Sequence, residues 1–213
     1  MKPPLDIVHP RIEEYLQGLL PRRDPVLAEM ESLASKRDFP IVGPLVGALL
    51  QILASSIQAR RILELGSGFG YSAIWFARAA GPSGRVLATE TSSENVSLGR
   101  GFLDRAGLGN RVEFRGGNAL EIAAGLEGPF DIVFNDIDKR DYPRAFEVAE
   151  ALLRPGGLFI SDNMLWKGNV LEKSPDDATR GVRELTRLLQ TSPQYLTTLI
   201  PLRDGVSVSL RSA

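Results

Sequence analysis

Residues 60–80, RRILELGSGFGYSAIWFARAA, decide how the rest of the chain is read. A short apolar run, Ile62-Leu63-Glu64-Leu65, passes through Gly66, Gly68 and Gly70 into a helical pattern stopped by Gly81-Pro82. A strand that turns through glycines straight into a helix opens a βαβ unit. Glycine takes the tight turn without steric cost, and the helix start offers free backbone N–H groups. The same alternation recurs downstream. GRVLATE (84–90), RVEFRG (111–116), FDIVFND (130–136) and GLFISDN (157–163) read as strands. SSENVSLGRGFLDRAGL (92–108, capped by Ser92 or Ser93), residues 120–126, YPRAFEVAEALLRPGG (142–157, closed by Pro-Gly-Gly) and ATRGVRELTRLLQ (178–190) read as helices. YLTTLIPLRDGVSVSL (195–210) reads as a hairpin. The pattern predicts an α/β fold: a mostly parallel seven-stranded sheet, helices on both faces, and a C-terminal antiparallel hairpin. Upstream, apolar stripes (Ile12, Tyr15, Leu16, Leu19, Leu20, then Val26, Leu27, Met30, Leu33) and the Pro-led run 40–59 predict helices. Residues 1–59 are therefore expected to form a helical cap on a Rossmann-like core of residues 60–213, within a single domain, and to cover the pocket or form a dimer surface.

The 213 residues are 43% hydrophobic with formal net charge −1. That suits one sizeable core and gives no general pull toward nucleic acid or anionic membrane. Cysteine is absent and the one histidine, His9, lies in the N-terminal tail. Any metal must then be held by oxygen, which favours Mg²⁺, Mn²⁺ or Ca²⁺. No apolar stretch approaches ~20 residues and the start has no signal-peptide core, so no membrane span and a cytoplasmic location are expected. Arg22-Arg23 and Arg60-Arg61 read as solvated faces rather than phosphate binders.

In parallel sheets ligands bind beyond the carboxyl ends of the strands. The first strand ends in the glycine turn. A dinucleotide fingerprint would place its last Gly at position 71, where this chain has Tyr71. Pyrophosphate binding does not explain Glu64 inside the strand or Tyr71-Ser72 after it. The second strand ends at Glu90, about twenty residues beyond the glycines, where a carboxylate can accept from both ribose hydroxyls. Turn and acid together predict a nucleoside site.

Glu-x-Gly-x-Gly-x-Gly with an acid ending the next strand resembles the class I S-adenosylmethionine-dependent methyltransferases. The resemblance implies that Glu64, Gly66, Gly68 and Gly70, with Tyr71 and Ser72, shape the pocket for the methionine part, and that Glu90 binds the ribose. Asn118-Ala119 of GGNALE stand where the family's Gly-Asp-Ala segment contacts adenine, with Asn118 replacing the family's acid.

The chemistry end is FDIVFNDIDKRDY (130–142) and SDNMLWKGNV (161–170). Neighbouring parallel strands lie about 4.8 Å apart, so Asp136, Asp162 and Asn163 at adjacent strand ends can converge on one cation. A phenol of pKa about 10 is a poor nucleophile at neutral pH. A metal on that oxygen lowers its pKa, and a nearby base such as Lys139 removes the proton for in-line methyl transfer. The two segments resemble the cation-dependent O-methyltransferases of the catechol and caffeoyl-coenzyme A type. Asp131, Phe134, Asp136, Asp138, Lys139 and Tyr142 meet one family pattern; Asp162, Asn163, Leu165, Trp166, Gly168 and Val170 meet the other. The resemblance implies Asp136, Asp162 and Asn163 as metal ligands, Lys139 as base, Asp136 also beside the donor, and Val42 of DFPIVGP lining the donor pocket. Two departures stand out. Asn135 replaces an apolar residue, and Ile137-Asp138 stand where the catechol enzymes have His-Trp. Trp166, read as exposed, and Met164 are expected either to wall the acceptor pocket or to pack the lid onto the domain. Residues 167–178 form a polar loop that selects the acceptor or is merely exposed.

The expected activity is methyl transfer from S-adenosylmethionine to a vicinal-dihydroxy phenolic small molecule, with Mg²⁺, Mn²⁺ or Ca²⁺ as cofactor. A homodimer is implied by resemblance. Two alternatives remain: methylation of a hydroxylated uridine in tRNA, and a non-catalytic nucleoside-binding domain.

Overall fold

Strands form here because apolar runs bury both faces. In the computed structural model, which describes residues 6–22 and 24–212, these are β1 (Arg61–Leu65), β2 (Arg85–Glu90), β3 (Val112–Gly116), β4 (Phe130–Asn135), β5 (Leu153–Ser161), β6 (Tyr195–Ile200) and β7 (Val206–Arg211). They make one seven-stranded sheet in the order β3-β2-β1-β4-β5-β7-β6. β1 to β5 are mutually parallel, and β7 runs antiparallel to β5 and β6. The order reverses at β1, between β2 and β4, and a crevice opens above their carboxyl ends.

The helices are α1 (Pro10–Leu19), α2 (Pro25–Arg37), α3 (Gly43–Ser56), α4 (Tyr71–Ala80), α5 (Ser93–Arg105), α6 (Ala119–Ala124), α7 (Tyr142–Leu152) and α8 (Asp177–Thr191). Successive strand residues point to opposite faces. Ile62, Val86, Ile132, Phe134 and Ile160 pack in one apolar layer with α2 to α5; Leu63, Leu65, Val133 and Phe159 pack in the other with α7 and α8. Ser92, not Ser93, caps α5 by accepting the Asn95 N–H. Asp131 ties the base of the sheet: one oxygen takes the N–H groups of Arg60 and Arg61 at 2.7 and 2.8 Å, the other the Arg154 guanidinium at 2.6 Å. Arg60 and Arg61 are thus structural ties. Arg22 is exposed, and Arg23 lies outside the described residues.

Two expectations need correction. α7 does not run to Gly157 but ends at Leu152, and Arg154–Gly157 belongs to β5. Leu153 pairs with Phe130, then the register shifts before Leu158 pairs with Ile132. Pro155 has no N–H to donate and Gly156 sits at φ +70°, so the chain bulges and rejoins the ladder. β5 stops at Ser161, which leaves Asp162 and Asn163 just past the strand. α2 and α3 place Leu27, Met30, Val46 and Leu50 in the main core, whereas no residue of α1 is fully buried. No helix among the described residues is long and apolar enough to cross a membrane.

Candidate active site

The glycine turn is built by close approach. Gly66 has φ +79°, and a Cβ there would lie 2.6 Å from the Asp136 carbonyl oxygen. Thr89 holds the turn from below: its hydroxyl accepts the Gly66 N–H at 3.1 Å and donates to the Glu64 carbonyl at 3.0 Å. Sequence reasoning missed Thr89; its one signal was a hydroxyl in an apolar strand beside Glu90. Glu90 spans the turn and α5, taking the Gly68 N–H at 2.9 Å on one oxygen and the Ser92 N–H at 2.8 Å on the other.

Two spaces that share Gly66, Glu90 and Asp136 in their walls flank this turn. One, of about 280 Å³, is lined by Gly66, Glu90, Asn118, Ala119 and Asp136, with Ile137 and Asp138. The other, of about 270 Å³, is lined by Val42, Gly66, Gly68, Tyr71, Ser72 and Glu90 and reaches Asp136, Lys139, Asp162 and Asn163. Gly70 lines neither space and serves as the left-handed residue before α4. Glu64 lies fully buried beneath them, so its part is to hold the floor rather than to face a ligand. Its oxygens accept the hydroxyls of Ser67 at 2.9 Å and of Ser72. Burial pushes the Glu64 carboxyl up to about 7, against the pull of the two hydroxyls. The Tyr71 hydroxyl donates to Glu31 at 2.7 Å. Asn118 spends its Oδ1 on the Leu120 and Glu121 N–H groups as the cap of α6, so only its NH₂ remains to meet a ligand.

The chemical residues come together as their spacing suggested. Asp136 and Asp162 are carried past β4 and β5 by backbone bonds, Asp136 N–H to Leu65 O at 2.9 Å and Asp162 N–H to Asn135 O at 3.2 Å. The Tyr142 hydroxyl, fully buried, donates to the Asp162 carbonyl at 2.8 Å. Lys139 Nζ lies 3.0 Å from Asp136 Oδ1 and 3.3 Å from the Ile137 carbonyl, over the rings of Tyr142 and Trp166. Burial, opposed by Lys139, raises the Asp136 carboxyl. Burial, then the charge of Asp136, pushes Asp162 up to about 7. Asp162 Oδ1 is buried with no hydrogen-bond partner. Two neighbouring carboxylates, both raised, one with an orphaned oxygen, beside an amide, are a donor set that fits a hard divalent cation. Among the described residues no group of three His, Cys, Asp or Glu could hold a metal, so the set depends on the Asn163 amide.

Asp138 turns away from this cluster and binds Arg140, which holds its carboxyl down at about 2. Met164 does not wall an acceptor pocket: it is 1% exposed in the core with Phe159, Tyr142 and Val182. Trp166 is half-buried against the same layer rather than exposed. The reversal comes from left-handed backbone at Asn163 (φ 56°) and Trp166 (φ 46°), which a strand-end reading does not foresee. Asn135 finds one partner, its Nδ2 donating to Ser161 Oγ at 3.0 Å, while its Oδ1 is buried without one. In the loop, residues 166–171 form a 3-10 turn whose Val170 carbonyl accepts from Arg183 at 2.9 Å.

Residues 22–212 match the model of the O-methyltransferase family. A catechol O-methyltransferase of Niastella koreensis is 35% identical over 211 residues, covering 93% of this chain and 96% of its own. A caffeoyl-CoA O-methyltransferase of Petroselinum crispum is 29% identical over 209 residues, covering 91% and 87%. The structure of the O-methyltransferase from Bacillus cereus in complex with SAH superposes with a TM-score of 0.87 at 33% identity, covering 95% of this chain and 97% of its own. The chain belongs to the O-methyltransferase family of the catechol and caffeoyl-CoA type, and is an S-adenosylmethionine-dependent O-methyltransferase.

Proposed function

We propose that the enzyme requires a divalent cation, Mg²⁺ foremost, and methylates one hydroxyl of a vicinal-dihydroxy, catechol-like small molecule. The observation that carries this reading is the half-buried Asp136 beside the buried Asp162, with Asp162 Oδ1 unpartnered, at the end of the donor crevice. Such an oxygen costs stability unless a cation or proton meets it. When bound, the cation would supply Lewis-acid chemistry, lowering the pKa of the acceptor hydroxyl.

The chain's own residues do the rest. Asp136, Asp162 and the Asn163 amide oxygen, which line one end of the crevice, would hold the cation. Lys139, within reach of Asp136, takes the acceptor's proton at Nζ. Gly66, Gly68 and Glu90 fix the donor, with Asn118 and Ala119 on the adenine side and Tyr71, Ser72 and Val42 on the methionine side. Orientation of donor and acceptor then supplies much of the rate. The catechol O-methyltransferase relative favours this acceptor class.

Asp162→Ala separates chemistry from donor binding. Calorimetry is expected to find S-adenosylmethionine affinity within a few-fold of wild type, while labelled-methyl transfer to a catechol falls by ~10²-fold or more. Equal loss of both would assign Asp162 to folding instead.

A further inference from the structure

The turn between β6 and β7, Arg203-Asp204-Gly205, belongs to neither the donor motif nor the two chemical motifs, yet it is pressed against the second of them. The Met164 N–H donates to the Gly205 carbonyl at 2.9 Å and the Leu165 N–H to the Asp204 carbonyl at 2.8 Å. Gly205 is buried at φ +86°, and a Cβ there would lie 2.5 Å from Leu165 Cγ, so only glycine lets the segments touch. From this turn the half-buried Asp204 carboxylate reaches the site. Its Oδ2 accepts from Asn163 Nδ2 at 3.3 Å, and its Oδ1 accepts from the Lys167 backbone N–H. Asn163 and Lys167 are both left-handed, at φ 56° and 53°, a costly backbone that persists only where its surroundings impose it.

A carboxylate has only acceptors to offer. An amide facing it must present its NH₂, which turns the amide oxygen to the opposite side. Asn163 lines the crevice beside Asp136 and Asp162, so its oxygen is the end left for that space. We infer that Asp204 is a positioning residue: it sets the Asn163 amide so that oxygen, not NH₂, meets the cation, and by pinning Lys167 it holds the loop and the cation site as one unit. The inference rests on the metal reading given above. Groups that orient a ligand from behind commonly change metal affinity 10–100-fold when replaced.

Asp204→Asn isolates this role. The new side chain keeps an oxygen for the Lys167 N–H but sets an NH₂ against the Asn163 NH₂, which favours the flipped amide. The Asn163→Asp/Asp204→Asn double variant restores matching, because a carboxylate at 163 accepts from the introduced amide and presents oxygen from either end. The test is calorimetric titration of Mn²⁺ into the full chain, with thermal unfolding as a check on folding. The expected result is binding by wild type, affinity about 10–100-fold weaker in Asp204→Asn, and recovery to within a few-fold of wild type in the double variant. Unchanged affinity in a folded Asp204→Asn, or a double variant no better than the single, overturns the inference and leaves the metal reading standing. Failure of wild type to bind Mn²⁺ overturns both. Should Asp204→Asn not fold, Asp204→Ala carries the test: it frees the amide to turn, several-fold weaker binding is expected, and wild-type affinity refutes the role.

Discussion

Glu64→Gln tests how the floor of the donor pocket is held. The wild-type carboxyl is fully buried, and burial pushes it up to about 7 from an ordinary 4.5, against the hydroxyls of Ser72 and Ser67. A carboxyl with a raised pKa in the folded state binds its proton more tightly there than in the unfolded chain. Its contribution is therefore complete below pH 4.5 and is lost as pH rises through about 7. The gap is worth about 3 kcal/mol, at ~1.4 kcal/mol per pH unit, of which roughly 2.5 falls between about pH 5 and pH 8. Glutamine keeps the shape and both partners, since one serine hydroxyl donates to its oxygen and the other turns to accept from its NH₂. It has no proton to lose. Urea unfolding of both proteins at about pH 5 and about pH 8 reads the difference directly, because other titrating groups are common to both. Near-equal stability is expected at the lower pH, and the variant should lead by roughly 2.5 kcal/mol at the higher. Parallel pH dependence would refute the reasoning, because Glu64 would then be no more reluctant to ionise folded than unfolded.

Two further outcomes follow from the buried polar groups. With Asp162 raised to about 7, protons compete with a cation for its oxygens at lower pH. Mn²⁺ affinity by calorimetry should fall by ~10-fold per pH unit below that value and level off above it; flat affinity from about pH 5.5 to 8 would contradict the shift. The Asn135→Val/Ser161→Ala pair removes a buried amide whose Oδ1 has no partner together with the hydroxyl that receives its NH₂. Thermal unfolding should show stabilisation by about 1 kcal/mol, whereas Asn135→Val alone, which orphans Ser161, should gain less.

The parts of the site legible in the sequence are those that end buried strands. Asp136 and Asp162 follow apolar runs that the sheet covers on both faces, so a charge at the end of each run had to lie in the crevice. Glu90 and the glycines stood out for the same reason. What stayed hidden depends on contacts between segments far apart in the chain. Asp204 sits in a hairpin turn where Asp-Gly is ordinary turn chemistry, and only the pairing of residues 164–165 with 204–205 brings it to Asn163. Met164 turned inward because left-handed backbone at Asn163 reverses the chain. Pro155-Gly156-Gly157 read as a helix stop, but the helix already ends at Leu152 and these residues lie within β5, because Leu153 pairs with Phe130 across the sheet.

The central claim is that a cation held by Asp136, Asp162 and Asn163 is needed for methyl transfer. Its most direct test is labelled-methyl transfer from S-adenosylmethionine to a simple catechol by the purified enzyme, with Mg²⁺ and with chelator. Turnover with Mg²⁺, loss in chelator, and recovery when Mg²⁺ is restored are expected. Full activity in chelator would contradict that claim.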